Sequence, residues 1–484
     1  MPPSPECSHR IRKCLGRSDL VEQRMTVRGR VEQLLDEVGP LSPDPAGLHA
    51  LRAQLAEPLT VALVGRVSSG KSTLLNALVG DRVAPTDRAE CTRVAALYTE
   101  GNPQRVEVIG LDGTVTELPG PMRGDLGRPA EEIDHAVVHT PSRLLRERFR
   151  VIDTPGLSGF TDTAEIATRR VFGRQGRLAR PDVILFLLDD AAGPKADEVA
   201  FLADAGASAQ NTILVISQAD LIAADNPMLK AQEIARRVWR RFPAIAGAVV
   251  AVSGLMAEAG VCGVTERETA QISRRGQLES WELLTILDGG MPAPPGIDVD
   301  ELGRLEQLVG TYAMDAGGEI ARQGARAYCE WLHRVSGIDE LRLAIGRRFL
   351  AVGDILKART VLAALRESAY RSARRDAFLE AIDEAETSPA LHRLREVTAL
   401  EALARWQPDS ELVGELNLVV ASRDVRVLLS LPPNAAPPQI ADAARQRATD
   451  CRSRRAFAAT SAEREALLVL EQTYQLIRRG LWVN

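Results

Sequence analysis

Residues Gly65-Arg66-Val67-Ser68-Ser69-Gly70-Lys71-Ser72 constrain this chain more than any other stretch, because they fit G-x-x-x-x-G-K-[ST]. A β-type run, Leu59-Thr60-Val61-Ala62-Leu63-Val64, precedes them, and a helix-type run from Ser72 to Val79 follows. Strand, glycine loop and helix in that order predict a phosphate cradle. Glycine lets the backbone curl until its N–H groups face an anion. The helix N-terminus adds partial positive charge and unsatisfied donors. Lys71 can then reach the outer phosphates of a nucleoside triphosphate, and the Ser72 hydroxyl can ligate Mg²⁺. A chance match in a glycine-containing turn is the plainer alternative, and the flanking strand and helix argue against it. Gly65, Ser68, Ser69, Gly70, Lys71, Ser72 and Thr73 are therefore the candidate binding residues of this loop. Ser68, Lys71 and Ser72 are also candidate catalytic groups.

At 484 residues the chain has room for two to four domains. Aromatic residues are only 4% while alanine, leucine and arginine abound, a mix that favours long helices over an all-β chain. A net charge of −5 argues against a dedicated nucleic-acid binder. The six cysteines make no CxxC pair or metal-ligand spacing, so reduced thiols in a cytoplasmic protein are expected. No signal-peptide pattern is present at the start, and the strongest apolar run, Val183 to Leu188, is too short to span a bilayer. Any membrane contact is expected to be peripheral.

Residues 1–24 hold three prolines and a mildly basic mixture, and are expected to be poorly ordered, with Met25 as an alternative start. Residues 25–57 read as two amphipathic helices, broken at Gly39-Pro40 and restarted at Asp44-Pro45. They either lie on the sheet as a lid or join a helical bundle built from the C-terminal half.

Downstream of the loop, Thr92 can lend its hydroxyl to Mg²⁺ and its N–H to a γ-phosphate, with Thr86 as the rival candidate. Arg105–Ile109 and Thr114–Leu118 predict a hairpin turning at Asp112-Gly113. Phe149-Arg150-Val151-Ile152 runs into Asp153-Thr154-Pro155-Gly156. An acidic residue at a buried strand end can hold Mg²⁺ through water, and the Gly156 N–H can sense a γ-phosphate. Two more strands, Thr212–Ile216 and Ala248–Val252, end in Ser217-Gln218-Ala219-Asp220 and Ser253-Gly254. Strands alternating with helices predict a doubly wound, mostly parallel sheet with its ligand at the strands' C-terminal ends, where all these candidates fall. A carboxylate at Asp220 can accept from guanine N1–H and its amine, a donor pair adenine lacks. A plain loop or N-cap aspartate is the alternative. Past residue 262 the strands stop, and the rest predicts an all-α bundle with helical periodicity. Within it, Arg366, Arg371, Arg374 and Arg375 form a basic cluster that either faces anionic lipid or is a solvated helix face.

The order GRVSSGKST, ECTRV, DTPG, SQAD and VSG, followed by a helical half, resembles the dynamin-like GTPases. The phrase Asp81-Arg82-Val83-Ala84-Pro85-Thr86-Asp87 leading to Glu90-Cys91-Thr92-Arg93-Val94 is most similar to the actinobacterial isoniazid-inducible group. The resemblance implies an α/β P-loop GTPase domain over 58–262, and a neck and trunk from helices 25–57 and 263–484. It implies GTP and GDP with Mg²⁺, carried by Lys71, Ser72, Thr92, Asp153, Gly156 and Asp220, with Gln218, Ser253 and Gly254 on the base side. Partners by resemblance are guanine nucleotide, a second copy across the head or a sister dynamin-like protein, and anionic lipid, but not nucleic acid. The implied action is GTP hydrolysis coupled to dimerisation and remodelling of the inner membrane, from the cytoplasm or peripherally at its inner face. Two positions depart from the pattern. Val67 stands where dynamins carry a water-orienting glutamine, and Gln218 where the T/NKxD lysine is usual. Both predict weak binding and slow turnover, or catalysis completed by a backbone carbonyl or a partner group, and they favour the alternative of a GTP-binding scaffold or partner subunit that hardly hydrolyses. Arg66 and Arg93 are candidate charge stabilisers, with solvated surface as the more common use of an arginine in P-loop proteins.

Overall fold

A computed structural model describes residues 26–482 except 86–93, 124, 148, 158–162, 173–177, 179, 190–191, 279, 289, 351, 409 and 423. The expectations for residues 1–24 and for Thr86, Thr92 and Arg93 lie outside the described residues. The chain divides into two compact units. Pro58–Leu350 make one, and Met1–Glu57 with Ala351–Asn484 make the other.

The first unit is built on a nine-stranded sheet. In chain order its strands are β1 (Leu59–Gly65), β2 (Ala96–Glu100), β3 (Arg105–Gly110), β4 (Val115–Pro119), β5 (Ile133–Thr140), β6 (Phe149–Asp153), β7 (Val183–Leu188), β8 (Thr212–Ile216) and β9 (Ala248–Ala251). In space they run β4-β3-β5-β2-β6-β1-β7-β8-β9. β6, β1, β7, β8 and β9 are mutually parallel, so five strands end on one edge. β1, β7 and β8 are buried along their whole length. That is why they read as unbroken apolar runs: helices cover both faces. β2 turns antiparallel to β6, and the β3–β4 hairpin extends that side. The doubly wound, mostly parallel sheet expected from the sequence is present.

The helices from Glu266 to Ile345 pack with the sheet rather than with the remaining helices. Leu302, Leu305, Val309, Tyr328 and Leu332 bury against Met256 and Ile272 in a second core of this unit. The compact unit therefore runs to Leu350, past the change of sequence character at residue 262.

The second unit is all helix among its described residues. Val31, Leu34, Leu35 and Val38 line the buried face of Val27–Val38, which packs on Gly353–Ala369 and Arg375–Thr387. Lys357 Nζ donates a 2.7 Å bond to the Gln54 carbonyl at the end of Pro45–Ala56. The long pair Pro437–Arg455 and Ser461–Arg479 packs with His392–Trp406 and Glu411–Ala421. In the basic cluster, Arg366 pairs with Asp383 and Glu386, and Arg375 stacks over Tyr370. Among the described residues, no helix is long and apolar enough to cross a membrane.

Candidate nucleotide-binding site

Sharp backbone geometry shapes the loop after β1. Gly70 has φ 87° and Ser68 φ 63°, both in the left-handed region. A Cβ on Gly65 would lie 2.8 Å from the Leu187 carbonyl, so only glycine fits between β1 and β7. The helix Lys71–Val79 starts there. Lys71 is buried and folds back over the loop, donating to the carbonyls of Gly65 (3.1 Å) and Arg66 (2.8 Å). Burial holds its pKa below the usual lysine range, opposed by the charge of Asp153.

Asp153 ends β6 beside this helix. Ser72 Oγ donates a 2.7 Å hydrogen bond to Asp153 Oδ2, while the buried Oδ1 has no partner among the described residues. Burial raises the Asp153 pKa, against the pull of Lys71 and the Ser72 hydrogen bond. A hydroxyl beside an orphaned carboxylate oxygen is the hard oxygen donor set that Mg²⁺ takes, so these residues fit that ion. The segment beyond Asp153 is tied down. Thr154 Oγ1 donates to the Leu63 carbonyl (2.7 Å), and the Leu157 N–H to that of Gly65 (3.0 Å). A Cβ on Gly156 would lie 2.6 Å from Val67 Cα, so this backbone presses directly on the loop.

On the other side, Gln218 takes φ 51° after β8, and its Nε2 donates 2.8 Å to the Ser68 carbonyl. Asp220 is 7% exposed, and its carboxylate has no hydrogen-bond partner among the described residues. It therefore caps no helix and leaves its carboxylate free toward the cavity it lines. Ser253 does cap: its Oγ accepts from Met256 N–H (3.3 Å) at the start of Gly254–Cys262. Gly254 packs near Thr73.

One cavity of about 660 Å³ joins these groups. Ser68 through Thr73, Asp153, Gln218, Asp220 and Gly254 line it, whereas Gly65, Gly156 and Ser253 stand behind the wall. Lys71, Ser72 and Asp153 gather around the loop, and Asp220 lies on the β8 side. Arg66 is turned to other work. It binds buried Glu198 (2.8 Å) and Asp197 (2.8 Å) at the start of Ala196–Asp204, which raises its pKa, chiefly through the Glu198 hydrogen bond. Sequence reasoning also missed Asn76. Fully buried, it accepts from the Val83 and Ala84 N–H groups and donates to the Ala84 carbonyl, anchoring the chain that leaves the loop helix. Its one signal was an amide inside the apolar run Leu74-Leu75-Asn76-Ala77-Leu78.

A phosphate loop after the first strand, an aspartate at the end of β6 and a second carboxylate after β8 define a P-loop GTPase domain. A family model described as 50S ribosome-binding GTPase matches residues 60–218. Isoniazid-induced protein IniC of Mycobacterium tuberculosis is 35% identical over 348 residues, 66% of this chain and 68% of IniC. The bacterial dynamin-like protein of Nostoc punctiforme is 30% identical over 117 residues, 20% of this chain and 16% of that protein. A solved structure of an oligomerised bacterial dynamin pair aligns over 92% of this chain and 62% of its own, at 15% identity and a TM-score of 0.33. The chain belongs to the bacterial dynamin-like GTPases, in the family of IniC. It binds guanine nucleotide and hydrolyses GTP.

Proposed function

We propose that GTP lies along the cavity with its triphosphate on the loop Gly65–Ser72 and its base at Asp220. One observation carries this reading: Asp153, whose buried Oδ1 has no partner among the described residues, and Asp220, a 7% exposed residue with no hydrogen bond among them, line the same cavity. Lys71 would exchange its two carbonyl contacts for phosphate oxygens. Mg²⁺ would be held by Ser72, by Asp153 through water and by Thr92, and would neutralise charge on the outer phosphates. Asp220 would select guanine, with Gln218, Ser253 and Gly254 shaping the base side. Attack by water is expected to be slow, since Val67 cannot orient it.

The larger action we propose is dimerisation, or assembly with a sister protein, coupled to remodelling of the inner membrane from its cytoplasmic face. The helices of the second unit would serve as neck and trunk. The membrane part rests on family membership and on two aromatics of the second unit. Trp406 is 75% exposed and Phe457 88% exposed. The Thr460 Oγ1–Gln407 Oε1 bond of 3.3 Å sets their two helix ends side by side. This pair is a better candidate for lipid contact than Arg366, whose charge is already met.

Val67 and Gln218 support a second reading, a scaffold that binds GTP and scarcely turns it over. GTP turnover with and without anionic liposomes separates the two. Lipid-stimulated turnover supports remodelling, and binding without turnover supports the scaffold. Lys71→Ala should abolish binding under either, and retained binding would remove the loop assignment.

A further inference from the structure

Helices that carry none of the expected site residues brace Asp220 and two elements beside the nucleotide cavity. The junction between Val299–Val309 and Thr311–Ala316 is Gly310, with φ 86° and ψ 154°. That conformation is essentially glycine's alone. A Cβ there would stand 3.0 Å from Asp220 Oδ2. Tyr312, two residues on, packs against both apolar cores of the unit, so the junction is anchored. Further along, the Ser336 carbonyl accepts from the Ser253 N–H at 2.9 Å. The next residue, Gly337, has φ 81°, and a Cβ on it would strike the Ala251 carbonyl. Arg342 Nη2 then donates to the Ala77 (2.9 Å) and Leu78 (3.4 Å) carbonyls, capping the far end of the loop helix.

We infer that Gly310 supports the guanine subsite from behind, as the residue that positions the Asp220 carboxylate. The inference rests on Asp220 being the guanine contact. Asp220 has no hydrogen bond of its own among the described residues, so its place is fixed by packing alone. The wall it meets is a backbone with no side chain. A methyl group at residue 310 would push the carboxylate toward the base or rotate it off the amine. Occupancy by guanine, in turn, presses on this junction and steadies the short helix after it.

Inosine diphosphate tests this, because it keeps N1–H but lacks the amine. Calorimetry on the full chain should show GDP bound about tenfold more tightly than IDP, the worth of one hydrogen bond to a charged acceptor. In Gly310→Ala that ratio should fall to near unity while IDP affinity changes little. A general loss of structure would weaken both ligands alike. A folded Gly310→Ala that keeps the wild-type ratio overturns the inference. Should that variant fail to fold, hydrogen exchange on the wild type decides: GDP should slow amides 310–317 more than IDP does, and equal protection overturns it. A wild type that does not distinguish GDP from IDP removes the Asp220 reading and this inference with it. A wild type that distinguishes them beside an unchanged Gly310→Ala removes the inference alone.

Discussion

Gln218 Nε2 donates its hydrogen bond to the Ser68 carbonyl across 150 residues of sequence, so the base side of the cavity is tied directly to its phosphate loop. The bond holds Ser68 in a left-handed conformation that a serine seldom adopts. A net hydrogen bond of this kind is worth about 1 kcal/mol. Gln218→Ala should therefore weaken GDP binding about fivefold, from 1 kcal/mol at room temperature. Gln218→Lys should match or exceed the wild type. Calorimetry on the three proteins checks the order, and an unaffected Gln218→Ala would show that the bond does not shape the loop.

Val67 is 57% exposed, with its backbone pressed against the site where Gly156 has no side chain. There is room outward for a longer side chain, and none inward. Val67→Gln adds a group able to hold the attacking water, and should raise kcat by about tenfold with little change in KM. Phosphate release at saturating GTP measures it. An unchanged kcat would mean that water is already held by another group.

Trp406 and Phe457 give the proposed membrane contact a direct test. Replacing both with alanine removes large exposed apolar surface and touches no core, so stability should move by less than about 0.5 kcal/mol. Sedimentation with anionic liposomes should drop sharply, while GDP affinity stays as it was. Full retention on liposomes would move the contact elsewhere.

His392 makes the second unit sensitive to acid. Burial, with Arg395 and Arg393 nearby, lowers its pKa from 6.5 to about 4. A base depressed on folding stabilises the neutral folded form. That stability is whole above 6.5 and is lost as pH falls toward 4. Between about pH 7 and about pH 5 the loss comes to about 2 kcal/mol. Glu396, fully buried nearby, is raised by burial and acts in the opposite sense, because the folded state keeps its proton. His392→Gln isolates the histidine: denaturant unfolding should show a shallower acid slope than wild type. Equal slopes would show that His392 does not govern it.

Much of the sheet was legible because its evidence is local. β1, β7 and β8 announce themselves as apolar runs, and Asp112-Gly113 as a hairpin turn. The grouping of helices was not. Leu302 and Leu305 show a helix with one apolar face, but nothing nearby says whether that face meets the sheet unit or the other helices. Contacts with Met256 and Ile272 decide it, across some thirty to fifty residues. The pairing of Arg66 was hidden for a similar reason: its partners, Asp197 and Glu198, lie 131 and 132 residues away. Nothing in the residues around Gly310 points to the cavity, and only the fold brings Asp220 against it.

The pairing of Arg66 with Glu198 has a kinetic consequence. Among the described residues facing the cavity, Lys71 is the sole cation. A departing phosphate spreads negative charge beyond what one ammonium and the Mg²⁺ proposed at Ser72 and Asp153 would meet. If the balance is lent by a neighbouring molecule, a dilute solution of this protein will be a poor catalyst, and its activity per milligram will climb as the solution is made more concentrated.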